Sequence, residues 1–357
     1  MLPISVCIIA KNEEKRIEKC LQSLVPYDFE IVLVDTGSTD RTVEIAANYT
    51  KHIYDFTWCD DFSAARNFSL EKASNEFIFM MDCDEWITSI DAEEMIYFIQ
   101  NLGTQVGVVT RQNMIRQHVS GSDSEQTNYV ISGCDQTERL FSRKLYHYVG
   151  LIHEQLSPIE GQELPCLLLQ TTIGHSGYDM TDEEKTAKAV RNGTLLEKEL
   201  LVNPNDPYLY YQLGKNSELM GEFEKALTFY LKGMEFQLDP TLAYVEAMVI
   251  RYGSLLLQLN KKEDALQLEG ILELFPDSAD FTYLMGCIYK QNQMFKKAVE
   301  QLIHAVKFEH ANLNGANSFL AYHMLGEIME EIGNPTEASS MYEIEQKLIK
   351  SANFRHI

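Results

Sequence analysis

Residues Phe77-Ile78-Phe79-Met80-Met81-Asp82-Cys83-Asp84-Glu85 decide the fold. Consecutive apolar residues read as a strand buried on both faces, since a strand with one wet face would alternate. The strand runs directly into an acidic triplet, so two carboxylates stand at its carboxyl end, where open α/β sheets bind their ligands. Outward toward the N-terminus the same grammar repeats. Residues 4–10 form another continuous apolar run rich in β-branched side chains. Residues 14–24 put Ile17, Leu21 and Leu24 on one helical face, closed by Pro26. A further apolar run, 30–34, ends at Asp35, and Thr36-Gly37-Ser38-Thr39-Asp40 then supplies a turn and a helix cap for residues 41–48. A strand at 52–55, a helix at 63–73 and the strand at 76–81 complete the series. Strands alternating with helices predict a mostly parallel α/β sheet for the first half of the chain.

Outward in the other direction, the sequence from about Thr181 to the C-terminus reads as almost entirely helical. Gly214 with Ala226, Gly253 with Ala265, Gly286 with Ala298 and Gly326 with Ala338 form four pairs, each twelve residues apart. Four residues after the Ala stands Tyr230, Leu302 or Tyr342, with Glu269 as the exception. Small residues at these points let antiparallel helices approach closely. The spacing resembles tetratricopeptide repeats, whose stacked helix pairs usually receive peptide on a concave side. The expected division is therefore a domain over residues 1–180 and a helical repeat domain over 181–357.

The composition fits this plan. A chain of 357 residues, 45% apolar and 23% charged, has length for two or three domains and is neither disordered nor a stapled miniature. Its apolar runs fall short of the roughly 18 residues of a membrane span, so no membrane-spanning segment is expected. The first residues lack the pattern of a secretory signal, which places the expectation in the cytoplasm. Seven scattered cysteines without a CxxC pair fit neither a disulfide framework nor a zinc ribbon. A net charge of -23 opposes phosphate backbones, so nucleic acid and anionic membranes are not expected partners. The acidity serves solubility, and it would also attract a basic polypeptide.

Two carboxylates at the end of a buried strand repel each other, and a divalent cation would offset that cost. Hard oxygen ligands suit magnesium or manganese, which also bind nucleotide diphosphates. An isolated Asp-x-Asp is a weak sign, because acidic pairs also cap helices and line solvated turns. Its context is more specific. Val6-Cys7-Ile8-Ile9-Ala10-Lys11-Asn12-Glu13-Glu14, Ile31-Val32-Leu33-Val34-Asp35-Thr36-Gly37-Ser38-Thr39-Asp40-Arg41-Thr42 and Phe62-Ser63-Ala64-Ala65-Arg66-Asn67 precede the triplet in that order. Over about residues 3–178 the chain resembles the inverting family-2 nucleotide-sugar glycosyltransferases of the GT-A fold, which is Rossmann-like. Glu138-Arg139-Leu140-Phe141, Gly150-Leu151-Ile152-His153-Glu154 and Gly174-His175-Ser176-Gly177-Tyr178 look like the branch with C-terminal tetratricopeptide repeats, which includes the sublancin-type peptide S-glycosyltransferases.

The resemblance implies roles position by position. Ala10, Asn12, Glu13 and Asp35 would contact the nucleoside of the donor, with a plain turn-forming role as the alternative for Asp35. Asp61, Arg66 and Asn67 would lie over base and phosphates, unless Arg66 pairs structurally with Asp60 or Asp61. Arg139 and Cys83 belong to the donor site by position, and the Cys83 thiol either packs behind the strand or meets a soft metal. Asp84, Asp82 and His175 would hold Mn2+ or Mg2+, with Asp84 the more direct ligand. Glu154 would take the proton from the acceptor, with His153 or a sugar-binding role for Glu154 as alternatives. The loop from Ser120 to Asn128 is a further candidate for the acceptor site.

These expectations combine into a metal-dependent inverting enzyme that moves a hexose from a UDP-sugar to a Cys, Ser or Thr side chain of a peptide or protein docked by the repeats. Bracing of the first domain and homodimer formation are the other uses of the array. Two further readings stand beside it: a transferase for a cell-surface glycan, and a non-catalytic nucleotide-sugar-binding adaptor. A dinucleotide oxidoreductase is excluded, because Ala10-Lys11-Asn12-Glu13 stands where a G-x-G-x-x-G fingerprint would follow the first strand.

Overall fold

The computed structural model describes residues 2–117, 128–161, 164–176 and 181–353. The expected loop from Ser120 therefore lies outside the described residues apart from Asn128, and so do Gly177 and Tyr178. The chain divides into two compact units between Glu199 and Leu200.

The first unit opens with β1 (Ile4–Ala10), α1 (Ile17–Leu24), β2 (Glu30–Asp35), α2 (Thr42–Ala46), β3 (His52–Asp55), α3 (Phe62–Lys72) and β4 (Phe77–Asp82). It continues with β5 (Glu85–Ser89), α4 (Ala92–Asn101), β6 (Val106–Gln117), β7 (Asn128–Ser142), β8 (Tyr146–Val149), β9 (Gln155–Pro158), β10 (Cys166–His175) and the start of α5 (Asp182–Val202). One eight-stranded sheet has the order β3-β2-β1-β4-β7-β6-β10-β5, and β8 with β9 forms a separate ribbon.

Strands β3, β2, β1 and β4 are parallel to one another, as the sequence predicts. Beyond β4 the sheet is mixed, because β7 is antiparallel to both β4 and β6, and β5 is antiparallel to β10. Antiparallel neighbours need no helical crossover, so the strand–helix rhythm that marks parallel pairs is missing there. Both faces of the parallel half are buried. Ile4, Val6 and Ile8 of β1 join Phe79 and Met81 of β4 in one core, while Cys7, Ile78 and Met80 pack in the other. That alternation accounts for the uninterrupted apolar runs. Register then aligns the strand ends: Ala10 lies beside Asp35, and Ile9 beside Asp82.

The second unit is helical among its described residues: α6 (Pro207–Leu219), α7 (Phe223–Met234), α8 (Ala243–Gln258), α9 (Lys262–Ala265), α10 (Ala279–Gln291), α11 (Phe295–Ala305), α12 (Phe319–Glu331) and α13 (Pro335–Asn353). Consecutive helices pack as pairs, α6 on α7, α8 on α9, α10 on α11 and α12 on α13, as tetratricopeptide-like hairpins do. Asp206 and Ser278 cap α6 and α10 through side-chain oxygens. The repeated glycines sit where the spacing puts them: Gly214 lies against the Tyr230 ring, Gly286 against Leu302 and Gly326 against Tyr342. In the pair with Glu269 the second helix is only four residues long and continues as a 3-10 helix over Leu266–Leu274. The tighter winding presents Leu268 to Gly253 in place of the expected residue.

No helix among the described residues is long and apolar enough to cross a membrane.

Candidate active site

The carboxyl ends of β1 and β4, the start of α3, the segment before β9 and the end of β10 surround a cavity of about 540 Å3. That size lies within the usual range for small-molecule sites. Its walls carry Ala10, Glu13, Arg66, Asp82, Cys83 and Asp84 from the N-terminal motifs, and His153, Glu154 and His175 from the downstream ones. His153 adopts a left-handed backbone (φ 53), an uncommon conformation that tends to be kept at functional sites.

Charge organises the floor. Arg66, rising from α3, donates from Nη2 to Asp82 Oδ1 at 2.8 Å and from Nε to Glu154. Arg139 of β7 donates to Asp82 Oδ2 at 3.2 Å and to Glu85 at 2.6 Å. Burial alone would raise the Asp82 carboxyl, but the guanidiniums of Arg66 and Arg139 outweigh it and hold the group well below the usual aspartate range. Glu85 is fully buried, and burial together with the charges of Asp82 and Asp84 pushes its carboxyl upward against the pull of Arg139. Nη1 of Arg66 is buried with no hydrogen-bond partner among the described residues. A buried orphan donor on the wall of a cavity fits an anionic ligand.

Asp84 and His175 form a second centre. His175 Nε2 lies 3.5 Å from Asp84 Oδ2, and His175 Nδ1 is 2.8 Å from Asn113 Oδ1. A carboxylate oxygen and an imidazole nitrogen facing each other make a donor pair that would fit a divalent cation such as manganese better than magnesium, which favours oxygen ligands. Both oxygens of Asp82 accept hydrogen bonds from arginines. Of the three expected metal donors the structure thus brings two together. No group of three such side chains occurs among the described residues.

Other residues expected at the donor site make local hydrogen bonds. Asp35 accepts from the backbone N–H groups of Gly37 (3.1 Å) and Ser38 (3.0 Å), and Gly37 is left-handed (φ 100), so Asp35 shapes its own turn. Asn12, also left-handed (φ 55), accepts from Thr39 N–H at 2.8 Å and joins the loops after β1 and β2. Asp61 caps α3 by accepting from Ala64 N–H at 2.9 Å. Asn67 exchanges two hydrogen bonds with the backbone of Tyr148, tying α3 to β8. Arg66 pairs with neither Asp60 nor Asp61, because Asp82 and Glu154 hold it. Cys83 is buried with Sγ 3.3 Å from the Ile9 carbonyl, the packing arrangement of its two alternatives.

Several site residues escape the sequence reading. Glu85 sits in the quoted stretch but resembles one more surface acid. Arg111 lines the cavity, and with Asn113 it shows only the every-second-residue spacing common to any strand face, while Asp135 stands opposite it on β7. Lys188, Arg191 and Asn192 of α5 also line the cavity, and the Arg191 guanidinium lies 5.2 Å from the Phe62 ring. Their helix follows residue 180, where the sequence changes character, yet as far as Glu199 it belongs to the first unit.

Residues 5–149 match the family model for glycosyl transferase family 2. The chain is 29% identical over 302 residues to the SPbeta prophage-derived glycosyltransferase SunS of Bacillus subtilis, covering 80% of this chain and 67% of that protein. It is 28% identical over 250 residues to a TPR repeat-containing protein of Synechococcus elongatus, covering 66% of this chain and 57% of that one. It is 35% identical over 88 residues to the lipopolysaccharide core biosynthesis glycosyltransferase LpsC of Rhizobium meliloti, covering 24% and 32% respectively.

Proposed function

We propose, on the premise that residues 5–149 form a glycosyltransferase family 2 domain, that this chain transfers a hexose from a UDP-sugar to a Cys, Ser or Thr side chain of a peptide or protein, with inversion. The observation that carries the proposal is the cavity at the strand ends, where the Asp84–His175 pair, the orphan donor of Arg66 and Glu154 come together. Likeness to the glycosyltransferase SunS across 80% of the chain supports sugar transfer, and the paired helices of the second unit, an arrangement that usually receives peptide, support a polypeptide acceptor.

The chemistry is a single displacement. Glu154 takes the proton from the acceptor's O–H or S–H, and the freed electron pair forms the new bond to the anomeric carbon. The bond from that carbon to the diphosphate oxygen breaks, and UDP leaves with the electron pair. Arg66, Lys188 and Arg191 line the same space and offset the negative charge that develops on the leaving group. A divalent ion held by Asp84 and His175 would add Lewis-acid stabilisation of the diphosphate worth several kcal/mol. Asp82, Arg139 and Glu85 hold Arg66 and the triplet in place. A thiol acceptor would need less help from Glu154 than a hydroxyl, because thiolates form more readily.

The test is transfer from UDP-hexoses to Cys-, Ser- and Thr-containing peptides with Mn2+, read by mass spectrometry. One hexose per acceptor side chain is expected. Asp84→Ala should keep its circular dichroism and lose on the order of a thousandfold in rate, at about 1.4 kcal/mol per tenfold. Near-normal turnover by folded Asp84→Ala contradicts the metal role, and transfer to glycans but never to peptides overturns the acceptor class. The likeness to LpsC is what favours including lipopolysaccharide fragments in the acceptor panel.

A further inference from the structure

We infer that Arg111, Asp135 and Asn113 form a relay that keeps the His175 proton on Nδ1, so that Nε2 is the nitrogen turned toward a divalent cation shared with Asp84. The inference rests on the metal-site reading above and assigns positioning residues to it.

Register builds the relay. Arg111 lies directly opposite Asp135 across the antiparallel β6–β7 pair, and Asn113 lies beside His175 across the parallel β6–β10 pair. Arg111 and Asn113 are two apart on β6, so they share a sheet face. Arg111 donates to both Asp135 oxygens, at 2.8 and 3.1 Å, and Asn113 Nδ2 donates to Asp135 Oδ2 at 2.8 Å.

The chemistry of each group then determines the next. Burial of Asp135 favours its neutral form, but the bonds from Arg111 and Asn113 outweigh that and keep the carboxyl below the usual aspartate range. An ionised carboxylate only accepts, so the Asn113 amide must turn its NH2 toward Asp135 and its oxygen toward His175. That oxygen only accepts, so the proton in the 2.8 Å contact belongs to His175 Nδ1. The remaining nitrogen faces Asp84 Oδ2 at 3.5 Å. Partners of this kind on a metal-binding histidine typically matter 10–100-fold in metal affinity.

The test uses the full chain labelled with 15N-histidine, free of metal and at alkaline pH, where imidazoles are neutral. Long-range 1H–15N correlations report the tautomer of His175, assigned by its loss in His175→Gln, and Mn2+ affinity is read separately by electron paramagnetic resonance. Wild type should show the Nδ1-protonated tautomer. Asp135→Ala and Asn113→Leu should shift the proton toward Nε2 and weaken Mn2+ binding by about 10–100-fold. Asp135→Asn, whose amide oxygen still accepts from Asn113, should restore both. Asp135 is partly exposed, so its variants read the relay even if Asn113→Leu does not fold. An unchanged tautomer in Asp135→Ala, or an Nε2-protonated neutral tautomer in wild type, overturns the relay. Wild type with the expected tautomer but no Mn2+ binding overturns the metal reading instead.

Discussion

At the scale of single residues, Arg66 joins the structural and chemical demands of the site. Its side chain is 9% exposed and bridges the carboxylates of Asp82 and Glu154. Removing one member of such a buried cluster strands the others, which typically costs about 3–5 kcal/mol. Arg66→Ala should therefore lower unfolding stability in urea by about that amount as well as abolish transfer. Arg66→Lys should recover only part of either, because an ammonium cannot reproduce the two-sided fork. A stability within about 0.5 kcal/mol of wild type would show that the cluster is not held as described. Chemical roles were only partly legible at this scale. Asp84, Arg66, Glu154 and His175 stood in quotable motifs, and all four line the cavity. Asp35, Asp61 and Asn67 stood in equally good motifs and hold turns, a helix cap and a β-strand backbone. A motif carries both kinds of residue in the same string, and the local hydrogen bonds that Asp35, Asp61 and Asn67 make become visible only in the coordinates.

At the scale of elements, spacing carried further. The first four parallel strands fall where the continuous apolar runs put them, and Gly214, Gly286 and Gly326 meet Tyr230, Leu302 and Tyr342 as the repeat spacing expects. Strands β6, β7 and β10 of the mixed half of the sheet were not legible. Their pairing depends on non-local register, and β6 is polar at Thr110, Arg111, Gln112 and Asn113, where it passes the site. The helical glycines give a direct test. A Cβ at Gly214 would overlap the fully buried Tyr230 ring, whereas nothing lies within 4 Å of a Cβ at Gly270. Gly214→Ala should destabilise the helical unit by about 1–3 kcal/mol despite the gain in helix propensity. Gly270→Ala should be neutral or slightly stabilising in the same thermal melts. Equal effects at the two positions would show that close helix approach is not what the repeated glycines provide.

At the scale of the whole molecule, the change from mixed sheet to helical pairs is plain in the sequence, but its position is less so. Helical periodicity begins near residue 181, while Ala189, Leu195 and Leu196 of α5 are buried and Lys188 and Arg191 line the cavity of the first unit. Periodicity reports what a segment is, not what it packs against. We propose that the catalytic unit includes α5. A chain ending at residue 202 should keep its melting shift with UDP and Mn2+, and one ending at 180 should lose it; equal shifts would return the boundary to 180. The central claim is that a divalent ion between Asp84 and His175 binds the diphosphate of the donor. A crystal grown with UDP and Mn2+ and measured at the manganese edge tests it most directly. The account predicts an anomalous peak bonded to Asp84 and His175 Nε2 and to oxygens of both phosphates. UDP seated in the cavity with no peak there, or with the ion on other residues, would contradict it.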